Sequence, residues 1–306
     1  MANISLPDCS APLSFELRYR PPYDWPELLQ FLASRAISGV EMVQSNAYYR
    51  TVRIAKDGQE RSGWIEVTPA KRHPSLCVFA SASLADSLPG LSARIEHLLD
   101  LSCDPAPINI VLGSLASSSP GRRVPGAFDG FEVAVRAILG QQVSVASART
   151  LAGRFAAAFG GSLATPFAGI NRIFPSAATV AVLQTADVAR LGVIGSRAQT
   201  IIALAQALRD DQLRLTPGTN VELTMTQLRA LRGIGVWTAQ YVAMRALAWR
   251  DAFPHTDLGV MKALGESNPK RVLERAEAWR PWRAYAVMHL WASLKTGAAT
   301  RIADSA

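Results

Sequence analysis

The chain has 306 residues, 49% of them apolar, which is enough for two or three packed units and too apolar for a disordered or fibrous protein. Its formal charge is +8 and its pI near 9.8, and the excess is uneven: from Arg229 to the end twelve Lys and Arg stand against six Asp and Glu, while 20 stand against 18 before it, as expected where a region faces a polyanion. Cys9, Cys77 and Cys103 form no CxxC pair, no apolar run nears the roughly 18 residues of a membrane span, and no basic and apolar leader opens the chain; spacing therefore encodes no zinc or iron–sulfur site, and a reduced, cytoplasmic protein is the simplest expectation.

Residues 13–20 alternate apolar and polar, as a half-buried strand does. Asp24, Pro26 and Glu27 mark a helix start, after which Trp25, Leu28, Leu29, Leu32 and Ala36 recur at helical spacing. β-like runs follow at 47–54, 63–67 and 76–80, with Gly58 in the turn between the first two. Residues 91–101 read as a helix closing an α+β domain over 1–103, and the Pro- and Gly-rich stretch 104–127 reads as a linker or the start of a helical region. From Phe128 on, strand signals vanish. Segments 131–139, 145–159, 178–191, 197–208, 224–231, 236–248, 258–264, 269–278 and 283–294 all suit helices separated by Gly, Pro or Asn/Asp, so 128–306 is expected to be helical.

The most informative stretch is 228–257. It reads as a helix, a tight turn at Gly233, Ile234 and Gly235, a second helix to residue 248, and then a single acid, Asp257. Two glycines two apart allow positive φ and close backbone approach, and the helix that follows starts with free N–H groups, a ready phosphate site. Residues 191–198 (LGVIGSRA) echo this turn, too briefly to count as a repeat. Asp257 precedes an apolar stretch and so reads as a helix cap, which does not prevent it from also facing a cleft. Trp237 and Tyr241 lie four apart on one helix face; core packing and a stacking wall for an unstacked base are both open to them. His255 and His289 have no ligand-like neighbours, and no GxSxG, Walker A or GxGxxG motif is present.

LRGIGVWTAQYVAMRAL followed by FPHTD, together with PPYDW (21–25), FLASRAI (31–37), VRAILGQQVSV (135–145) and WRPWRAYA (279–286), resembles the helix–hairpin–helix (HhH-GPD) DNA glycosylase superfamily, within it the DNA-3-methyladenine glycosylase II (AlkA) type. The resemblance spans roughly residues 13 to 295. It implies a mainly α fold: an N-terminal α+β domain with an antiparallel sheet, then two all-α subdomains flanking a cleft. It implies catalysis by Asp257 and a base pocket of Phe31, Trp237, Tyr241 and Trp291. Contact with DNA falls on Gln142, Gly233, Gly235 and Thr238, with Gln142 at the position that wedges into the emptied base stack. Trp237 stands where lyase-competent relatives carry a nucleophilic lysine, so simple base hydrolysis without Schiff-base chemistry is expected. No cofactor is required; a metal ion at the hairpin would take the main-chain carbonyls of Arg229, Leu231 and Gly233.

The implied partner is double-stranded DNA with alkylated bases, with no membrane involved, and monomeric action is the simpler expectation. This sequence departs from the best-known type at Thr256, Leu258, Ala292 and Gln142, which leaves the range of damaged bases open. Two other readings remain: a non-catalytic protein that recognises damaged DNA, and a glycosylase for deaminated or oxidised bases.

Overall fold

The computed structural model describes residues 11–56 and 58–296; Cys9 lies outside them. The first strand, β1 (Leu13–Arg18), is followed by α1 (Trp25–Arg35), whose Asp24 cap accepts from Glu27 N at 3.3 Å. Next come β2 (Glu41–Gln44), β3 (Ala47–Lys56), β4 (Gln59–Pro69) and β5 (Ser75–Ala80). These five strands form one antiparallel sheet in the order β1-β5-β4-β3-β2. The inward residues Tyr48, Val52, Ile65, Val67, Leu76 and Val78 are fully buried. Helix α2 (Leu88–Leu98), entered through a 3-10 turn over Ala82–Ser87, closes this unit.

The stretch read as a linker or the start of a helical region holds a helix, α3 (Pro105–Leu112). Its prolines sit in the first turn, where a missing N–H costs nothing, and the Asp104 side chain caps it by accepting from Ala106 N at 3.1 Å. The helical region then runs through α4 (Gly130–Leu139), α5 (Val145–Phe159), α6 (Ala177–Val180), α7 (Thr185–Ala189), α8 (Gly195–Arg209), α9 (Val221–Ala230), α10 (Val236–Ala246), α11 (Leu258–Leu264), α12 (Pro269–Ala276) and α13 (Arg283–Thr296).

Three expectations need correction. Strand β2 was not among the expected runs: its hairpin turns through Ser45 and Asn46, at φ 49° and 63°, without the glycine that signals such a turn. Strand structure does not vanish after Phe128, because β6 (Gly161–Ser162) pairs with β7 (Arg172–Ile173); two-residue strands carry no periodicity to read. Residues 178–191 form two short helices rather than one. Gln184 breaks the segment, its N–H donating to Asp187 Oδ2 at 2.9 Å in a new cap.

A buried charged quartet ties the sheet to α4. Arg50 donates to Glu132 at 2.7 Å, and Arg136 Nη1 donates to Glu41 and Glu132 at 2.9 Å each. The Tyr48 hydroxyl and Ile37 N–H complete the shell of Glu41. Burial raises the Glu41 carboxyl, yet the guanidiniums of Arg136 and Arg50 outweigh it and hold it below the usual carboxylate value. Arg136 also bonds the Arg35 carbonyl at the end of α1, so this network sets where α1 meets the helical region.

Candidate active site

A cleft of about 1190 Å³ lies where the α4–α5 loop, the α8 start, the α9–α10 hairpin, α11 and α13 converge. Gly233 takes φ +92°, and a Cβ there would sit 2.1 Å from Thr200 Oγ1. That buried hydroxyl donates to the Arg232 carbonyl at 2.8 Å, so the turn is pressed against α8 and only glycine fits. Gly235 differs: it caps α10 in an extended conformation, and a Cβ there would meet nothing within 4 Å. Its backbone is the open one. The echo at 191–198 proves to be a backbone likeness, since Gly192 takes φ +91°, α8 begins at Gly195, and Ile194, Ser196 and Arg197 also line the cleft.

Asp257 is at once a cap and a cleft residue. Its Oδ1 accepts from Val260 N at 2.9 Å, starting α11. Two indoles converge on the same carboxylate: Trp237 Nε1 donates to Oδ2 at 2.7 Å and Trp291 Nε1 donates to Oδ1 at 2.9 Å. Trp237 stacks on Tyr241 with ring centroids 5.3 Å apart and planes 16° apart, and the Trp291 ring lies 6.4 Å from that of Tyr241. All four residues line the cleft. Gly259, which sequence reasoning passed over, makes room for this arrangement: a Cβ there would come within 3.0 Å of both Asp257 Oδ1 and Trp291 Cδ1.

Phe31 stands apart from the other three aromatics. The Arg35 guanidinium lies 3.8 Å above its ring and Arg245 lies 5.0 Å away, and it is Arg35, not Phe31, that lines the cleft. Arg245 Nη1 donates to the Tyr241 hydroxyl at 2.7 Å. Burial raises the Tyr241 phenol, but Arg245, Arg35 and Arg136 outweigh it and bring it below its ordinary value. The basic groups at the cleft are Arg35, Arg136, Arg149 and Arg197, all before the stretch where charge counting placed the excess. Arg245 and Arg283 in that later stretch are buried and hold main-chain carbonyls and Asp251 instead.

Gln142 is exposed at φ +55° on the cleft rim, while Thr238 is buried, its hydroxyl accepting from Gln141 Nε2 at 2.9 Å. Leu258 is 82% exposed on the rim beside Thr256, and Ala292 is only half-buried. Two of the three carbonyls expected to hold a metal already accept hydrogen bonds, Leu231 from Ile234 N at 3.1 Å and Gly233 from Gln141 Nε2 at 2.9 Å. No group of three or more His, Cys, Asp or Glu is gathered for a metal among the described residues. What remains is a set of neutral oxygens with a spare lone pair each, donors that suit a hard cation.

Two family models match the chain, the AlkA N-terminal domain over residues 14–129 and the HhH-GPD superfamily base excision DNA repair protein over 135–283. DNA-3-methyladenine glycosylase 2 of Escherichia coli is 36% identical over 277 residues, which cover 90% of this chain and 96% of that one. The chain belongs to the AlkA-type HhH-GPD glycosylases. An AlkA-type relative from Mycobacterium tuberculosis, a probable bifunctional transcriptional activator/DNA repair enzyme, is 38% identical over 293 residues, and these make up 57% of its length. The fold of 3-methyladenine DNA-glycosylase from Archaeoglobus fulgidus superposes with a TM-score of 0.78 at 20% identity, covering 92% of this chain and 98% of that one. The AlkA-type architecture, sheet domain first and helical region second, is therefore the one observed. No helix among the described residues is long and apolar enough to cross a membrane.

Proposed function

We propose that the protein is a monofunctional DNA glycosylase that extrudes alkylated purines such as 3-methyladenine and 7-methylguanine from duplex DNA and hydrolyses their N-glycosidic bond. The observation that carries this reading is the double indole clamp on Asp257 inside an aromatic-walled cleft. An N-alkylated purine is already cationic and leaves readily, so strong acid catalysis is unnecessary. The need is for negative charge near the sugar as it becomes oxocarbenium-like. Three N–H donors fill much of the Asp257 hydrogen-bonding capacity and fix its orientation, which favours electrostatic stabilisation over proton abstraction. Water then adds to the sugar carbon, the base leaves with the bond's electrons, and the proton of the water is lost to solvent.

Trp237, Tyr241 and Trp291 favour a cationic base by about 1–2 kcal/mol when desolvated, and easier extrusion of a damaged base adds to that selectivity. Where relatives hold a lyase lysine, Trp237 donates to Asp257, and no lysine among the described residues lines the cleft; both facts support hydrolysis without a covalent intermediate. The open backbone at Gly235 and the start of α10 suit a phosphate of the lesion strand. The carbonyls of Arg229, Leu231 and Gly233 would hold a hard cation, which supplies positive charge beside that phosphate.

Methylated duplex DNA tests the reading. Wild type is expected to release free methylated bases and leave alkali-labile sites, Asp257→Asn to lose about 100-fold or more of that rate while keeping DNA affinity, and borohydride to trap no adduct. Binding without any release by wild type would instead mark a non-catalytic damage-recognition protein, and a trapped adduct would refute the monofunctional assignment.

A further inference from the structure

Three functional parts meet at one side chain that the proposed chemistry does not use. Gln141 lies in the turn after α4, directly before Gln142, the exposed left-handed residue at the cleft rim. Its amide Nε2 spends both hydrogens on the hairpin: one on the Gly233 carbonyl and one on Thr238 Oγ1, each at 2.9 Å. Gly233 is locked by positive φ and by Thr200, and Thr238 is buried in the first turn of α10, next to Trp237. Both acceptors are therefore fixed points, and the loop that carries Gln142 is the more exposed partner, with residues 142–147 all exposed.

We propose that Gln141 is a positioning residue that couples the phosphate-gripping hairpin to the wedge at Gln142, so that seating the hairpin on the lesion strand sets the depth at which Gln142 enters the base stack. A two-point amide link fixes both distance and rotation of the loop, whereas a single hydrogen bond would leave a hinge. The geometry explains how a polar wedge in a left-handed conformation works here: the restraint comes from the neighbouring residue rather than from the wedge's own apolar burial. The inference rests on the glycosylase reading, and its test is arranged so that the two fail differently.

The variant is Gln141→Met, which keeps length and volume and removes both hydrogen bonds. Single-turnover release of 7-methylguanine is measured from two duplexes, one with the lesion paired opposite cytosine and one with it opposite an abasic site, where little work is needed to extrude it. Fluorescence of 2-aminopurine beside the lesion reports extrusion independently of chemistry. Loss of about tenfold on the paired lesion, less than threefold opposite the abasic site, DNA affinity within threefold of wild type and a reduced 2-aminopurine signal are expected. Thr238→Val, which removes one of the two bonds, should give a ratio of the two release rates between those of wild type and Gln141→Met, and that ratio carries the comparison if Gln141→Met does not fold. Equal losses on both duplexes, or no loss on either, would overturn the coupling. Absence of release by wild type would overturn the glycosylase reading alone, and the 2-aminopurine comparison would still decide the coupling.

Discussion

Trp237 and Trp291 serve two purposes at once: each offers a ring face to the cleft and an N–H to the Asp257 carboxylate. The two contributions separate by substitution. Phenylalanine keeps most of the stacking surface and removes the donor, so Trp237→Phe and Trp291→Phe should each lower kcat by roughly 100-fold, the low end of what loss of a single preorganised donor costs, with KM changed far less. A steady-state series on methylated DNA decides it; a rise in KM at constant kcat would mean that the rings bind the base and nothing more. Much of this site was legible residue by residue. Asp257 reads as a cap because a carboxylate before an apolar helix is a local pattern. Gly259 was not legible, since its need arises from an indole more than thirty positions away. Phe31 was placed in the base pocket, but the guanidinium of Arg35, four residues on along the same helix, folds back over it.

Among the elements, the hairpin and the caps were the easiest to read because they depend on φ preference and on side chains two or three positions away. Gly58 sits at φ +76° in the β3–β4 turn, and Asp24 and Asp257 each cap a helix with a side-chain acceptor. Short elements failed for the opposite reason: two residues of β6 or five of α7 show no period, and pairing partners supply what stability they have. The quartet of Glu41, Arg50, Glu132 and Arg136 belongs to this scale, because it decides how β2 and β3 lie on α4. Glu132→Gln strands the buried Arg50 guanidinium without its nearest carboxylate, and should cost about 3–5 kcal/mol. Urea unfolding checks the magnitude. Replacing both Arg50 and Glu132 by Met should cost less than Glu132→Gln, since no buried charge is then left unpaired by that pair.

At the scale of the molecule, the seam between the sheet domain and the helical region is titratable. His97, at the end of α2, lies against the 126–127 backbone and Arg245, and burial followed by the Arg245 charge pushes it down to about 4. His289 on α13 is pushed down to about 3 by burial and Arg122. Both are neutral when folded and bind protons below about 6.5 once unfolded, so the stability they protect is full at pH 7 and is lost as pH falls through that value. Asp100, which accepts from the Tyr285 hydroxyl at 2.9 Å, runs the other way: burial raises it to about 6, so its stabilising protonated form is lost as pH rises from about 4 through 6. Between pH 7 and 5 the two histidines cost roughly 2 kcal/mol each and Asp100 returns about half as much as one of them. The urea midpoint should therefore fall by pH 5, His289→Gln should remove most of that fall, and Asp100→Asn should steepen it. A midpoint flat from pH 7 to 5 would contradict the seam assignment.

Composition, periodicity and glycine placement by themselves determined the order of the long helices, the sheet domain before the helical region, the hairpin turn and the cap at Asp257. Each rests on interactions within a few residues, where backbone sterics and capping leave little choice. Only the tertiary structure decided that two indoles from α10 and α13 close on one carboxylate, that Arg35 shields Phe31, and that Gln141 reaches across to Gly233. Those outcomes depend on the relative placement of elements far apart in the chain. Side-chain packing and buried charge pairing set that placement, and neither leaves a repeat along the sequence.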